Sequence, residues 1–561
     1  MTDGTLRAAG WTAAAFLTAG ILGASVTGAG GIPPDRPLQK NPRSDDRPNI
    51  VLVMVDDMGF SDLGSYGGEI ATPHLDRLAE EGLRFTQFYN TSKCFPTRAS
   101  LMTGLYAHQV GMGERIDTLR NGVTIAEVLR EAGYRTYMTG KWHGLENPFD
   151  RGFDRYYGLV DGAVNHFNPG EQRPGEPPPA RKTPGHVRTW AIDGQVFRPY
   201  TPDDPDFYST DAYTEKALDY LNRHESEHAE KPFFLYIAYQ APHDPLQARS
   251  EDIEKYRGKY MDGWDVLRRR RHERQVEMGI VDPEWTLPEY GTILEHWQRT
   301  STFTTRYWDD HLRILPWEEV EGKADWDLKM AVYAAMVDRV DQQMGRLLDK
   351  IREMGEEENT LVMFLSDNGG SAEMVHNQQN REYPPVDPPG SMAAWHSVDA
   401  PWAFLSNTPF RHYKNWSHEG GIATPFIAWW PERIGAGGIT PEIAHLIDVM
   451  ATAVDAADAE YPEIWRNERI HPLEGKSLLP VFEEGVREGH DALFFEWNGG
   501  KVVRSGRWKL VDARGADTHW ELYDMETDRT ETRNLAAVHP ERVETLTAMW
   551  EAWAKRVGVT H

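Results

Sequence analysis

The chain has 561 residues, 40% hydrophobic and 26% charged. That composition suits a globular protein with a large core and excludes a collagen-like, low-complexity or multi-span membrane chain. Lys plus Arg number 60 against 87 Asp plus Glu, a formal net charge of -27, which excludes the basic footprint of a nucleic-acid binder but not a local cationic pocket for an anionic substrate.

At the N-terminus Arg7 precedes an apolar, small-residue stretch from Ala8 to about Val26, then Gly28 to Gly30. Residues 1–30 read as a secretory signal peptide, which predicts a periplasmic or secreted protein. Residues 31–47 are rich in Pro and charge and read as a linker. Asn49 to Val55 is an apolar, β-branched run that predicts a buried strand ending in Asp56-Asp57. Thr72-Pro73 reads as a helix N-cap followed by Pro at the first helical position. Thr124 to Ala132 predicts a short helix stopped by Gly133, and Tyr134 to Thr139 a strand. Asn165 to Asp206 is rich in Pro and Gly and predicts a long surface excursion. Phe233 to Tyr239 reads as a strand that runs into Ala241-Pro242-His243. Leu246 to Asp327 is polar and helical in character, and its run Arg268 to Arg271 reads as a solvated helix face.

Met330 to Met354 predicts a long amphipathic helix, Leu361 to Leu365 the strand after it, and Thr424 to Trp430 a further strand. Strands alternating with helices predict an α/β fold over residues 48–487, a large, mainly parallel sheet flanked by helices. In residues 488–561 the texture changes. Ala492 to Trp497, Lys501 to Arg504, Trp508 to Asp512 and Trp520 to Tyr523 are short strands between turns, and Val543 to Lys555 a closing helix. They predict a smaller antiparallel α+β domain.

In an open parallel sheet, ligands bind beyond the carboxyl ends of the strands. Asp56 and Asp57 at one such end repel each other unless a cation neutralises them. The strand from Leu361 ends in Ser366-Asp367-Asn368-Gly369-Gly370. Asp56, Asp57, Asp367 and Asn368 form an all-oxygen set suited to a hard divalent cation such as calcium or magnesium. Taken alone, each pair is a weak signal, and Asp367-Asn368-Gly369 is also an ordinary turn sequence. Cys94 is the single cysteine, so no intrachain disulfide forms. Arg98 lies four residues on, one turn away if a helix begins near Pro96, where a guanidinium stabilises an anionic nucleophile.

The run Cys94 to Gly104 resembles the signature of the sulfatase family, within the alkaline phosphatase superfamily. Gly140-Lys141-Trp142-His143, Ala241-Pro242-His243-Asp244-Pro245, and Lys414 followed by His418-Glu419-Gly420-Gly421 resemble further elements of that family. So do Arg507-Trp508-Lys509-Leu510 and Glu521-Leu522-Tyr523-Asp524 in its small second domain. The resemblance implies an alkaline-phosphatase-like fold and hydrolysis of sulfate monoesters, with the closest texture that of arylsulfatases. It implies that a maturation enzyme oxidises Cys94 to formylglycine, whose hydrate is the nucleophile. It places Asp56, Asp57, Asp367, Asn368 and the modified residue 94 around calcium, with magnesium also possible.

By the same resemblance Arg98 and Lys141 support the nucleophile, and Lys141 and Lys414 hold the sulfate. His243 with Lys414 protonates the leaving oxygen. His143 takes the proton that releases sulfate by elimination from a sulfated hemiacetal. His418 and Arg411 are candidate substrate contacts. The implied substrate is a sulfated small molecule or glycan. Phe95 is bulkier than the family's usual residue after the Cys, and Gly144-Leu145 inverts its usual Leu-Gly. The alternatives are a phosphate or phosphonate monoester hydrolase and a catalytically silent sulfate binder.

Overall fold

Residues 49–56 are apolar but for their two ends, and all eight are buried in strand β1 (Asn49–Asp56). A strand covered on both faces belongs in the middle of an α/β sheet. The computed structural model describes residues 46–182, 185–289, 314–373, 387–512 and 520–560. The expected signal peptide and all but the end of the linker lie outside these residues. The described residues belong to one compact unit, Pro42–His561.

The sheet around β1 also contains β2 (Leu83–Tyr89), β3 (Arg135–Gly140), β4 (Arg155–Leu159), β5 (Trp190–Ile192) and β6 (Gln195–Phe197). It continues with β7 (Phe233–Pro242), β8 (Thr360–Ser366), β9 (Ala423–Trp429) and β10 (Gly438–His445). The order is β10-β2-β9-β8-β1-β7-β3-β4-β5-β6. Strands β8, β1, β7, β3 and β4 are mutually parallel. Strand β9 runs antiparallel between β8 and β2, and the β5–β6 hairpin closes the other edge. The sheet is therefore mixed but mostly parallel. Part of the predicted surface excursion is regular, because β5 and β6 extend the sheet.

The long helix Lys323–Glu353 starts before its predicted Met330, and packs against helices Ser209–Glu227 and Pro73–Glu81 and against β7. Thr124 caps helix Ile125–Glu131 in a reciprocal box with Glu127. Thr72 precedes helix Pro73–Glu81, but its hydroxyl bonds Asp76 and the Gly64 N–H instead. The free amides of His74 and Leu75 are taken by Asp341 from the long helix. Arg268 and Arg271 do not face solvent as expected. Arg271 is fully buried against Asp62 and Glu69, and Arg268 lies over the Phe404 ring. Only the intervening Arg269 and Arg270 are exposed, so the run straddles both sides of its helix.

A two-stranded ribbon, β11 (Ile464–Trp465) and β12 (Glu468–Arg469), precedes the small sheet. That sheet is an antiparallel meander of β13 (Leu493–Trp497), β14 (Gly500–Ser505), β15 (Trp508–Asp512) and β16 (Trp520–Asp524). Helix Pro540–Val557 packs on β14 and β15 and buries Trp550 and Trp553. The small sheet meets the large one across a buried charge seam. Lys509 on β15 donates to Glu419 at 2.9 Å and lies 2.8 Å from Glu531. Arg529 donates to the other Glu419 oxygen at 2.8 Å, and the Tyr89 hydroxyl of β2 joins at 3.1 Å.

Candidate active site

Four adjacent parallel strands, in the order β8-β1-β7-β3, end at the same edge of the sheet. Their exits deliver Asp367-Asn368, Asp56-Asp57, His243 and Lys141-Trp142-His143. Gly140 permits the β3 exit, because a Cβ there would lie 2.0 Å from the Ala238 carbonyl oxygen. Asp57 and His143 both hold positive φ, at 69° and 68°. Such backbone costs roughly 1–3 kcal/mol and persists only where the surroundings enforce it.

Cys94 opens the helix Cys94–Thr103, so Pro96 is the third helical residue and not the first. Proline is tolerated there because first-turn amides lack intrahelical partners. The helix brings Arg98 one turn from Cys94. The Cys94 thiol donates to Asp56 at 3.4 Å. Arg98 makes two bonds to one Asp367 oxygen, at 2.9 and 3.1 Å, and a third to the Lys141 carbonyl. Lys141 reaches Asp56 at 2.5 Å, and Lys414 reaches both Asp57 oxygens at 2.7 and 2.9 Å. His243 Nε2 lies 3.6 Å from Asp57, and its Nδ1 lies 3.0 Å from Asp244. These groups are all buried.

Burial sets the electrostatics. It raises Asp57, and it raises Asp367 to about 7 with help from the Asp56 charge. Burial also opposes the Asp56 charge, but Lys141, His243 and Arg98 outweigh it and hold that carboxyl well below its ordinary range. Burial pushes the Cys94 thiol up, and Asp367 and Asp56 add to the shift. It pulls His143 well down, with Lys141 and Arg98 contributing, and His243 down to about 3.

The strand ends hold a set of donors that could bind a metal ion. Asp56, Asp57, Cys94 and His243 offer ligand atoms within 4.8 Å of one another. Asn368 donates its amide to Asp57, which leaves its buried Oδ1 without a hydrogen-bond partner. A buried carbonyl oxygen with no donor beside crowded carboxylates is the arrangement a divalent ion satisfies.

Asp56, Asp57, Cys94, Arg98, Lys141, His243, Asp367, Asn368 and Lys414 thus converge. His143 leaves β3 beside them, its buried Nδ1 unbonded and its ring 6.0 Å from Phe95. His418 and Arg411 go elsewhere. His418 bonds Glu521 at 2.8 Å, and Arg411 bonds Glu521 and the Tyr523 hydroxyl, so both serve the junction with β16. Sequence reasoning missed Glu373, which takes Lys93 at 2.6 Å and Asn415 at 3.0 Å and lies 3.9 Å from Lys414. No motif marks it. It also passed over Asp244, although Asp244 stands inside a quoted motif.

The Sulfatase family model matches residues 48–459. The model described as N-sulphoglucosamine sulphohydrolase, C-terminal, matches residues 410–555. An uncharacterized sulfatase of Schizosaccharomyces pombe is 33% identical over 552 residues, 91% of this chain and 94% of that protein. The arylsulfatase of Klebsiella aerogenes is 31% identical over 460 residues, 78% of this chain and 92% of that one. Among solved structures, Ps i-CgsB in complex with k-i-k-neocarrahexaose shares the fold, with a TM-score of 0.62 at 24% identity over 91% of this chain and 93% of that chain. With the matched model spanning most of the chain, the protein belongs to the sulfatase family and is a sulfuric ester hydrolase.

Proposed function

We propose that the protein hydrolyses aryl or carbohydrate sulfate monoesters through formylglycine formed from Cys94, with calcium held by Asp56, Asp57, Asp367 and Asn368. The observation that carries this reading is the meeting of three carboxylates and an unpartnered amide oxygen with Cys94 at adjacent strand ends. The encoded thiol is a poor nucleophile here, since burial and two carboxylates disfavour the thiolate. That supports a chemical change at residue 94. A bound cation would supply charge neutralisation for the carboxylates and for sulfuryl oxygens.

Formylglycine at residue 94 would supply, as its hydrate, an oxygen nucleophile for sulfur and a second hydroxyl for the later release of sulfate. Arg98 and Lys141 would stabilise the charge on the attacking oxygen, and Asp56, which already accepts from residue 94, would take its proton. As the bond from sulfur to the leaving oxygen breaks, His243 with Lys414 would supply that oxygen with a proton. Burial keeps His243 neutral, so the charged donor of the pair is Lys414, which Asp57 holds protonated. His143, kept neutral by burial, would take the proton of the second hydroxyl, so that the carbonyl re-forms, the bond from carbon to the sulfated oxygen breaks and sulfate departs, with water restoring the hydrate. The likeness to Ps i-CgsB, whose structure holds a neocarrahexaose, supports the carbohydrate arm of this reading. The N-terminal pattern supports export to the periplasm or beyond, after a maturation enzyme has met the chain.

The test is initial rates on an aryl sulfate and the matching aryl phosphate, with calcium present and residue 94 conversion confirmed by mass. A sulfate preference that disappears in Cys94→Ala is expected. A phosphate preference, or silence from fully converted protein on sulfated sugars as well, would overturn the reading.

A further inference from the structure

Beside the Cys94 site, the excursion after β4 folds back into a narrow cleft that is partly open to solvent. Arg181, Lys182, His186 and Arg188 line it, with Asn165 and Trp395. In a chain of net charge -27, four basic side chains around one cleft stand out. Two are already paired: Arg181 with Glu171 at 2.9 Å and Lys182 with Glu373 at 3.7 Å. Arg188 has no ion pair or hydrogen bond among the described residues, and only the more distant charge of Asp161 supports it. Burial accordingly pulls its pKa down. His186 is held down by Arg188, as expected of two cations side by side.

The seat of Arg188 is built. Its guanidinium lies on Gly162, where a Cβ would fall 2.2 Å from Cζ. Gly162 has a φ of 38°, which also favours glycine. The cleft borders the groups around Cys94 through two of its own residues, Trp395 and Lys182. Its wall residue Trp395 donates to Asp244 at 2.5 Å, and Asp244 lies 3.0 Å from His243. Lys182 shares Glu373 with Lys414. A substrate whose sulfate lies at residue 94 therefore has a cationic site beside it, with Lys182 on the shared border.

We propose that this cleft is an anion subsite for a second charged group, sulfate or carboxylate, on the ester whose sulfate is cleaved at residue 94. The preferred substrate is then a polyanion and not a singly charged ester. The proposal rests on the reading given above that the sulfate ester is cleaved at residue 94. An uncompensated, partly buried guanidinium makes charge-assisted, bidentate bonds to such a group.

The test uses three disaccharides with the same scissile sulfate: one singly charged, one with a second sulfate and one with a carboxylate. Wild-type kcat/KM for at least one doubly charged substrate should exceed that for the singly charged one by about 10-fold or more. The better arm identifies the group. In Arg188→Ala that ratio falls towards 1, mainly through KM. Gly162→Ala, which presses a methyl against the guanidinium, lowers it as well. A wild-type ratio near 1 on both arms, or a ratio that survives in Arg188→Ala, would overturn the proposal. Calorimetric Kd values for matched mono- and disulfonates, which cannot be hydrolysed, read the same ratio without turnover. A disulfonate preference lost in Arg188→Ala, with no hydrolysis of any aryl or sugar sulfate, keeps the subsite and rejects the function proposed above.

Discussion

Two buried charge clusters, joined by the short segment from Lys414 to Glu419, behave in opposite ways. In the seam, each Glu419 oxygen has its own cation, Lys509 or Arg529. Burial pushes Glu419 up, yet these partners hold it at about 2. At the strand ends, Asp56, Asp57 and Asp367 also have cations, yet Asp57 and Asp367 are raised. The difference lies in where the carboxylates point. Those of the seam point at cations, whereas those of the site also crowd one another, with Asn368 Oδ1 left over. Ion pairs between the sheets hold the seam together, whereas at the strand ends carboxylates crowd one another around an amide oxygen with no donor.

The widest separation between the clusters should come from Cys94→Ala. Turnover of an aryl sulfate should fall on the order of 10⁵-fold or more, while the urea midpoint stays near wild type. Glu419→Gln should do the reverse. Removing one partner of a buried pair costs about 3–5 kcal/mol, visible as a lower urea midpoint, while the folded fraction keeps its kcat/KM. Calcium added to chelated protein should raise stability by about 2.7 kcal/mol at a hundredfold excess over Kd. Asp367→Ala should abolish that gain and Glu419→Gln should keep it. The reverse pattern would mean that the two clusters had been misassigned.

The finest distinction is pH. Glu419 and Asp448 both have pKa values lowered to about 2, Asp448 because His490 and Arg487 outweigh its burial. A lowered carboxyl binds fewer protons folded than unfolded. Its stabilisation is therefore present above about pH 4.5 and is lost as pH falls through about 2. Urea midpoints should drop steadily between pH 5 and pH 3, and Glu419→Gln should flatten that slope.

The strand ends were legible because apolar runs such as 49–55 and 361–365 stop abruptly at Asp, and because the signature around Cys94 is specific. Strands β2 and β10 were not, since their partly exposed residues break the apolar run. Arg271 was misread for another reason. Its partners Asp62 and Glu69 lie some two hundred residues away, and a charge run says nothing about what approaches it. Arg411 and His418 stand in the right stretch of sequence for the site, yet Glu521 draws them to the small sheet. The basic cleft was hidden inside a stretch whose Pro and Gly content announced only a loop.

The segment from Lys414 to Gly421 ties the two clusters together. Lys414 closes on Asp57, and five residues later Glu419 closes on Lys509 and Arg529. Gly369, just past Asp367 and Asn368, lies so close to this segment that a Cβ there would fall 1.8 Å from the Gly420 carbonyl oxygen. A reading frame cut after residue 487 would thus encode no smaller working enzyme. It would leave Glu419 buried without its cations and strip the small sheet from the segment that carries Lys414. For gene shuffling between relatives, the break point that the change of texture near residue 488 invites is the wrong one, and segment 414–421 must travel with the last seventy or so codons.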